Sequence, residues 1–161
     1  MTVTPDILEK IANSILSKLK EASVMESERL LQMSDYHGFL KARMPQDFLE
    51  EILSPYQLTE WDVQIEIVKV DTDLSNEIHY HEGSYAYIVC LGQEYKTEDP
   101  KLASAYLKDT WTPIQAGDVI RIAPTTAHGF TVEEGGVLVF LSVQAPPIER
   151  DGNDDYHRVS A

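Results

Sequence analysis

His79, Tyr80 and His81 stand in the run Glu77 to His81, which reads as a β-strand. Alternate strand residues point to one face with their Cβ atoms about 6.6 Å apart, so two imidazoles at this spacing can converge on one divalent ion. The single cysteine, Cys90, excludes an intramolecular disulfide and a cysteine-rich zinc site, leaving histidine and carboxylate as the strong ligands. Taken alone, the pair is equally open to a plainer account, two solvated histidines. With five histidines in 161 residues, such a pair arises by chance in roughly one sequence in seven.

The elements that must position these residues change in texture near residue 60. Before it the pattern is helical. Thr4 can cap a helix with Pro5 in its first turn, and Ile7, Leu8, Ile11, Ile15, Leu16 and Leu19 form an apolar stripe. A second short helical pattern, Ser27 to Met33, leads into the polar stretch Ser34 to Gly38. A third starts around Pro45, carries Phe48, Leu49, Ile52 and Leu53, and ends at Ser54-Pro55. From Trp61 the period becomes two: Trp61, Val63, Ile65 and Ile67 alternate with Asp62, Gln64 and Glu66, as on a half-buried strand. Further strands are expected at Glu77 to His81, Tyr85 to Leu91, Thr112 to Gln115, Asp118 to Ile122, Gly129 to Val132 and Val137 to Val143. Turn signals at Gly83, Gly117, Pro124 and Gly135-Gly136 separate them. Lys96 to Lys108 breaks the rhythm and reads as a long excursion, and the polar Glu149 to Ala161 reads as an arm or ordered tail. Several short strands at close spacing imply a sandwich or small barrel. The expected organisation is a helical extension over residues 1–58, a β-barrel over 59–146 and a C-terminal arm over 147–161.

Two segments of the barrel region resemble the motifs of the cupin superfamily. In its first motif a His-x-His pair is followed at fixed spacing by Glu and then Gly, and His79, His81 and Gly92 match. In its second, Gly is followed by Pro-x-Gly and then His; Gly117 and His128 keep the spacing, while Pro is displaced by one to position 124 and Thr125 replaces the second Gly. The resemblance covers about residues 60 to 146. It implies a mainly β fold, the cupin jelly-roll β-barrel or double-stranded β-helix, here with an N-terminal α-helical extension. It also implies one divalent metal ion held by His79, His81 and His128, with Fe(II) favoured and Zn, Ni or Mn as alternatives.

The departure from the family is at the glutamate, whose place falls on Tyr85 or, with the longer gap, Ala86. Continuous strand parity would aim Tyr85 and Tyr87 into the same interior as the histidines as hydrogen-bond donors to a bound ligand, unless a turn at Gly83 and Ser84 resets it. Glu82 is a replacement carboxylate only if that turn folds it inward. Three neutral imidazoles leave a divalent charge uncompensated, so the expected partner is a small anionic molecule. The expected function is an Fe(II)-type dioxygenase acting on a metal-chelating anion; the alternatives are a metal-dependent isomerase or lyase, and a binding module without chemistry. Since a proton-transfer enzyme wants a carboxylate near the metal, its absence from the motif favours oxygen chemistry or plain binding.

The remaining candidates have plain structural accounts. Arg121 is either a carboxylate clamp or an outward barrel residue, and Gln64, Glu66 and Gln144 are eligible to line the barrel mouth. Cys90 reads as a small core residue, and His37 and His157 need no more than surface or capping roles. With 13 Lys plus Arg against 27 Asp plus Glu, the net charge of −14 disfavours nucleic acid and anionic membranes. The start of the chain lacks the features of a secretory signal and the longest apolar run is GVLVFLSV, so a cytoplasmic, non-membrane protein is expected. The amphipathic helix of residues 5 to 20 is expected to pack on the barrel or on a partner subunit, consistent with a homodimer.

Overall fold

The computed structural model describes residues 3–21, 34–36, 39–71, 76–95, 103–150 and 152–159. Helix α1 (Pro5–Glu21) begins as its sequence dictates: Thr4 accepts at Oγ1 from the Ile7 N–H (3.4 Å) and at its carbonyl from the Leu8 N–H (3.2 Å). Its stripe of Leu8, Ile11, Ala12 and Ile15 is fully buried, each large side chain worth roughly 1.5–3 kcal/mol of transfer free energy. Helix α2 (Gln46–Leu53) buries Leu49, Ile52 and Leu53. It passes into a 3-10 turn, Ser54–Tyr56, which is closed by Gln57 in the left-handed conformation (φ 59°).

Among the described residues thirteen strands, all paired antiparallel, follow the helices or lie between them. One sheet has six strands in the order β1 (Ser34–Tyr36), β2 (Phe39–Arg43), β3 (Gln64–Asp71), β10 (Gly136–Ala145), β5 (Tyr85–Tyr95) and β8 (Val119–Ile122). The other has five, in the order β13 (His157–Arg158), β4 (Asn76–Tyr80), β9 (His128–Val132), β6 (Ala103–Leu107) and β7 (Thr110–Ile114). A two-stranded ribbon, β11 (Glu149–Arg150) with β12 (Asn153–Asp154), links β10 to β13. The sheets face each other around Val70, Ile88, Cys90, Phe130, Leu138 and Phe140. The outer face of the six-stranded sheet, with Ile65, Ile67, Tyr87, Leu141 and Val143, packs on α1 and α2. The architecture is the expected mainly β double-stranded β-helix, with helices covering one sheet.

This layering explains an inversion of the β3 pattern. Its apolar set, Val63, Ile65 and Ile67, faces the helices, and its polar set faces the space between the sheets, so Gln64 and Glu66 are only 4% and 3% exposed. Period two is present, but neither face meets water.

Three local readings are corrected, and the C-terminal segment, expected as an arm or ordered tail, takes the second form. Residues 34–36, within the expected polar stretch Ser34 to Gly38, and residues 39–43, to which no element was assigned, are strands that extend the six-stranded sheet through β2 and β3. The Trp61 strand starts only at Gln64, because Asp62 folds back to accept at Oδ2 from the Thr59 N–H (2.9 Å). Within the expected excursion Lys96 to Lys108, Ala103–Leu107 is strand β6; it pairs with β7 through a two-residue turn whose Lys108 and Asp109 both have positive φ (52° and 63°), the geometry that matches strand twist. The C-terminal segment is ordered: β13 pairs with β4, placing Arg158 opposite His79. The Ser27 to Met33 helical pattern lies outside the described residues.

Candidate metal centre

The cross-strand register of β4 and β9 places His79 directly opposite His128, with ring centroids 4.3 Å apart, and His81 follows β4 on the His79 face. All three are buried, at 4%, 3% and 3% exposure, and one ligand atom from each lies within 4.8 Å of the others. The turn that presents His128 is secured despite its departures from the motif. Thr125 occupies the place of the motif glycine with φ 68°, and its N–H donates to the His81 carbonyl at 2.7 Å, which ties the second motif to the first.

Each ring has one nitrogen already committed. The Nδ1 atoms of His79, His81 and His128 sit 2.6, 2.5 and 2.9 Å from the carbonyl oxygens of Glu77, Asp155 and Thr126. A carbonyl only accepts, so each Nδ1 carries the proton and donates, which makes Nε2 the nitrogen through which each ring would ligate. Burial lowers the pKa of His128 to about 4 against the opposing pull of its bond to Thr126, and burial likewise lowers that of His81. Both rings are therefore neutral at neutral pH, the form that ligates. A buried cluster of three mutually facing imidazole donors suits a divalent transition ion.

The C-terminal segment completes the site, although sequence reading gave it no part there. The Tyr156 ring stacks on His79 at 4.2 Å and 21°. Burial, reinforced by the charge of Glu77, pushes its phenol up to about 12, so it remains a protonated donor. The Asp155 carbonyl orients His81, and its carboxylate accepts from the N–H groups of Glu82 (2.8 Å) and Gly83 (2.9 Å) and pairs with His157 Nε2 (2.9 Å). Burial pushes the Asp155 carboxyl up, and the Gly83, Glu82 and His157 contacts overcome this and hold it below its ordinary value. His157, half-buried, stacks on the Tyr80 ring beside this contact.

The histidines open onto a cavity of about 30 Å³ between the sheets, room for an ion and a few further atoms. Opposite them the six-stranded sheet contributes Lys41, Glu66, Ser142 and Gln144. Lys41 Nζ lies 3.0 Å from Glu66 Oε2 and also pairs with Glu149, and Gln64 Nε2 donates to Glu66 Oε1 at 2.6 Å. Sequence reading placed Gln64, Glu66 and Gln144 among the residues eligible for the barrel mouth but singled out none, and it missed Lys41, Ser142, Asp155 and Tyr156. A signal for Ser142 was present: it is the one hydroxyl within an apolar run.

Tyr85 and Tyr87 do not join the cavity. Both lie in the cluster beneath α1, because the turn at Glu82 to Ser84 resets strand parity so that Ala86, Ile88 and Cys90 face inward instead. Tyr87 meets Glu9 and lies under the Arg121 guanidinium, 5.4 Å from its ring centroid. Tyr87→Phe should leave metal content unchanged and lower stability by no more than about 1 kcal/mol, the value of one hydrogen bond; thermal denaturation with elemental analysis checks this. Glu82 is exposed on its turn, and Arg121 points outward to Glu9 at 3.4 Å, so neither reaches the histidines. Cys90 is buried between the sheets, and His37 lies outside the described residues.

No protein-family model matches the sequence, and no curated protein matches it. Solved structures do resemble the fold. Pac13 from Streptomyces, described as a unique nucleoside dehydratase, superposes with a TM-score of 0.52 at 14% identity over 81% of this chain and 86% of its own. KdgF from Halomonas sp. gives 0.52 at 16% identity over 75% and 89%. A Klebsiella pneumoniae protein with a double-stranded β-helix domain gives 0.55 at 13% identity over 87% and 99%. At these identities the likeness establishes the fold alone, a double-stranded β-helix.

Proposed function

We propose that this chain is a metal-dependent enzyme that moves a proton on a small oxygenated anion, an isomerase or lyase on the cupin fold. The observation that carries the reading is the buried triad His79, His81 and His128, with every Nδ1 donated to a carbonyl and a ligand atom from each ring within 4.8 Å of the others. A divalent ion held there would supply Lewis acidity, lowering the pKa of a neighbouring C–H or O–H.

The chain's own residues supply the acid–base chemistry. The motif glutamate is missing, but Glu66 brings a carboxylate into the same cavity from β3, which removes the reason for favouring oxygen chemistry. Lys41 holds Oε2 of Glu66 and Gln64 holds Oε1, so the carboxylate is fixed in place to accept a substrate proton and return it to a different atom. Tyr156 donates from the His79 side, and Ile148, Phe130 and Phe140 exclude water. That Pac13 is a dehydratase agrees with this class of chemistry. The second reading, an Fe(II) dioxygenase, draws on the absence of a carboxylate from the three-residue ligand set.

The two readings separate without knowledge of the natural substrate. Metal-loaded protein is incubated in deuterated water with a panel of small 2-oxo and 2-hydroxy acids, under nitrogen and then in air, with an oxygen electrode in place. Proton exchange under nitrogen, lowered at least 100-fold in Glu66→Gln, is the expected result, in line with typical contributions of a general base. Oxygen uptake coupled to turnover, with no exchange under nitrogen, would establish the dioxygenase instead.

A further inference from the structure

The cavity has two unlike walls. One carries the histidines and Tyr156. The other is a contiguous polar patch in an otherwise apolar sheet, with Ser142 paired across strands to Glu66 and Gln144 to Gln64. Ser142 and Gln144 are 3% and 6% exposed, yet Ser142 Oγ and Gln144 Oε1 have no hydrogen-bond partner among the described residues. Two such groups, each costing about 1–3 kcal/mol when unsatisfied, both line the one cavity that also holds the metal ligands. We propose that this wall is a substrate-recognition site for a small monoanionic acid bearing a hydroxyl remote from its carboxylate, the hydroxyl being received by Ser142 Oγ and Gln144 Oε1. The inference rests on the metal-dependent reading above and specifies its substrate class.

Polarity and charge select that class. Gln144 Oε1 accepts only, and Ser142 Oγ both donates and accepts, so a ligand hydroxyl satisfies the two together where a methyl or a second carbonyl does not. An imidazole that ligates is neutral, so the two charges of a divalent ion and the one on Lys41 face the carboxylates of Glu66 and Glu149. One positive charge is left, which a monoanion cancels and a doubly charged phosphate ester overshoots. At about 30 Å³ the cavity lies far below the volume of ordinary ligand sites, which leaves only the smallest hydroxy acids as candidates.

Glycerate and lactate are suitable probes: both are 2-hydroxy monoanions, and glycerate alone has the remote hydroxyl. In calorimetric titrations of zinc-loaded protein, glycerate should bind at least tenfold more tightly than lactate. In Ser142→Ala/Gln144→Leu the two acids should bind within about twofold of each other, with metal content unchanged. The metal-free double variant should melt no lower than the wild type, because it removes orphaned polar atoms, which separates lost recognition from lost folding. Equal binding of both acids by fully loaded wild type, or a preference that survives the double variant, overturns the recognition site while leaving the metal reading intact. Failure of the wild type to take up any ion overturns the metal reading, and the recognition site is then decided by the same pair of acids on the metal-free proteins.

Discussion

Grown with iron, zinc, nickel and manganese available, the protein should carry close to one equivalent of divalent ion, and His79→Ala/His128→Ala should carry none. His79 and His128 face each other across β4 and β9, so their loss leaves His81 as the sole imidazole in the cavity, and one imidazole does not hold an ion against water. Losing an outer hydrogen-bond partner of a metal ligand commonly costs 10–100-fold in affinity, and losing two of three ligands should cost well beyond that range. The double variant should still fold. The carbonyls released by the missing rings belong to Glu77 and Thr126 at strand ends, and the principal core, Val70, Ile88, Leu138 and their neighbours, lies outside the ligand set. Elemental analysis of both proteins, with each ion added back in turn, decides the matter. A wild type that stays empty in every case would leave a ligand-binding barrel and sink the metalloenzyme. Iron as the resident ion would strengthen the dioxygenase reading, whereas zinc or nickel would fit either.

The outline of this site was legible in the sequence because metal ligation imposes spacing. His79-x-His81 on a strand, and His128 at a fixed distance from Gly117, are local patterns, and the fold brings together the residues they mark. Lys41, Glu66, Ser142 and Gln144 obey no spacing rule of their own. They meet because β2, β3 and β10 are neighbours in a sheet whose order is not the order of the chain. The same limit applied to the tail: nothing in Asp155-Tyr156-His157 announces that β13 returns to β4 and lays Tyr156 on His79. Tyr85 and Tyr87 failed for a different reason. Their parity was counted through Gly83 and Ser84, and a single turn there exchanges the two faces of the strand. The alternation in β3 was read correctly as period two, yet its polar face is the functional interior and its apolar face lies under a helix, a distinction that depends on a third layer. Both described helices were readable from their apolar stripes, α1 with a cap at Thr4 and Pro5 and α2 without a side-chain cap.

The metal-free protein should lose stability as pH falls from about 6.5 toward about 4, and His128 should account for much of the loss. Its folded pKa lies near 4 because burial penalises the charged ring, whereas in the unfolded chain it titrates near 6.5. Between those values the unfolded state binds more protons than the folded one, so the free energy of unfolding rises with pH; this contribution is full above about 6.5 and is lost progressively toward 4. A difference of this size corresponds to about 3 kcal/mol for the one residue. His81, lowered by the same cause, adds in the same direction. Asp155 does not interfere, since its depressed carboxyl titrates below the window. Urea denaturation of the metal-free protein at pH 7.5, 6 and 5 should therefore show a falling midpoint, and His128→Leu, which places an apolar side chain where the ring was buried, should flatten the slope by close to one proton. A wild-type midpoint that holds steady across this range would mean that His128 titrates in the fold as it does in the unfolded chain, so that burial does not hold its ring neutral. The same linkage sets the ion's behaviour: with His128 and His81 already neutral, protons should compete with metal only well below pH 6.5, so affinity measured from pH 7.5 to 6 should change less than three free imidazoles would require.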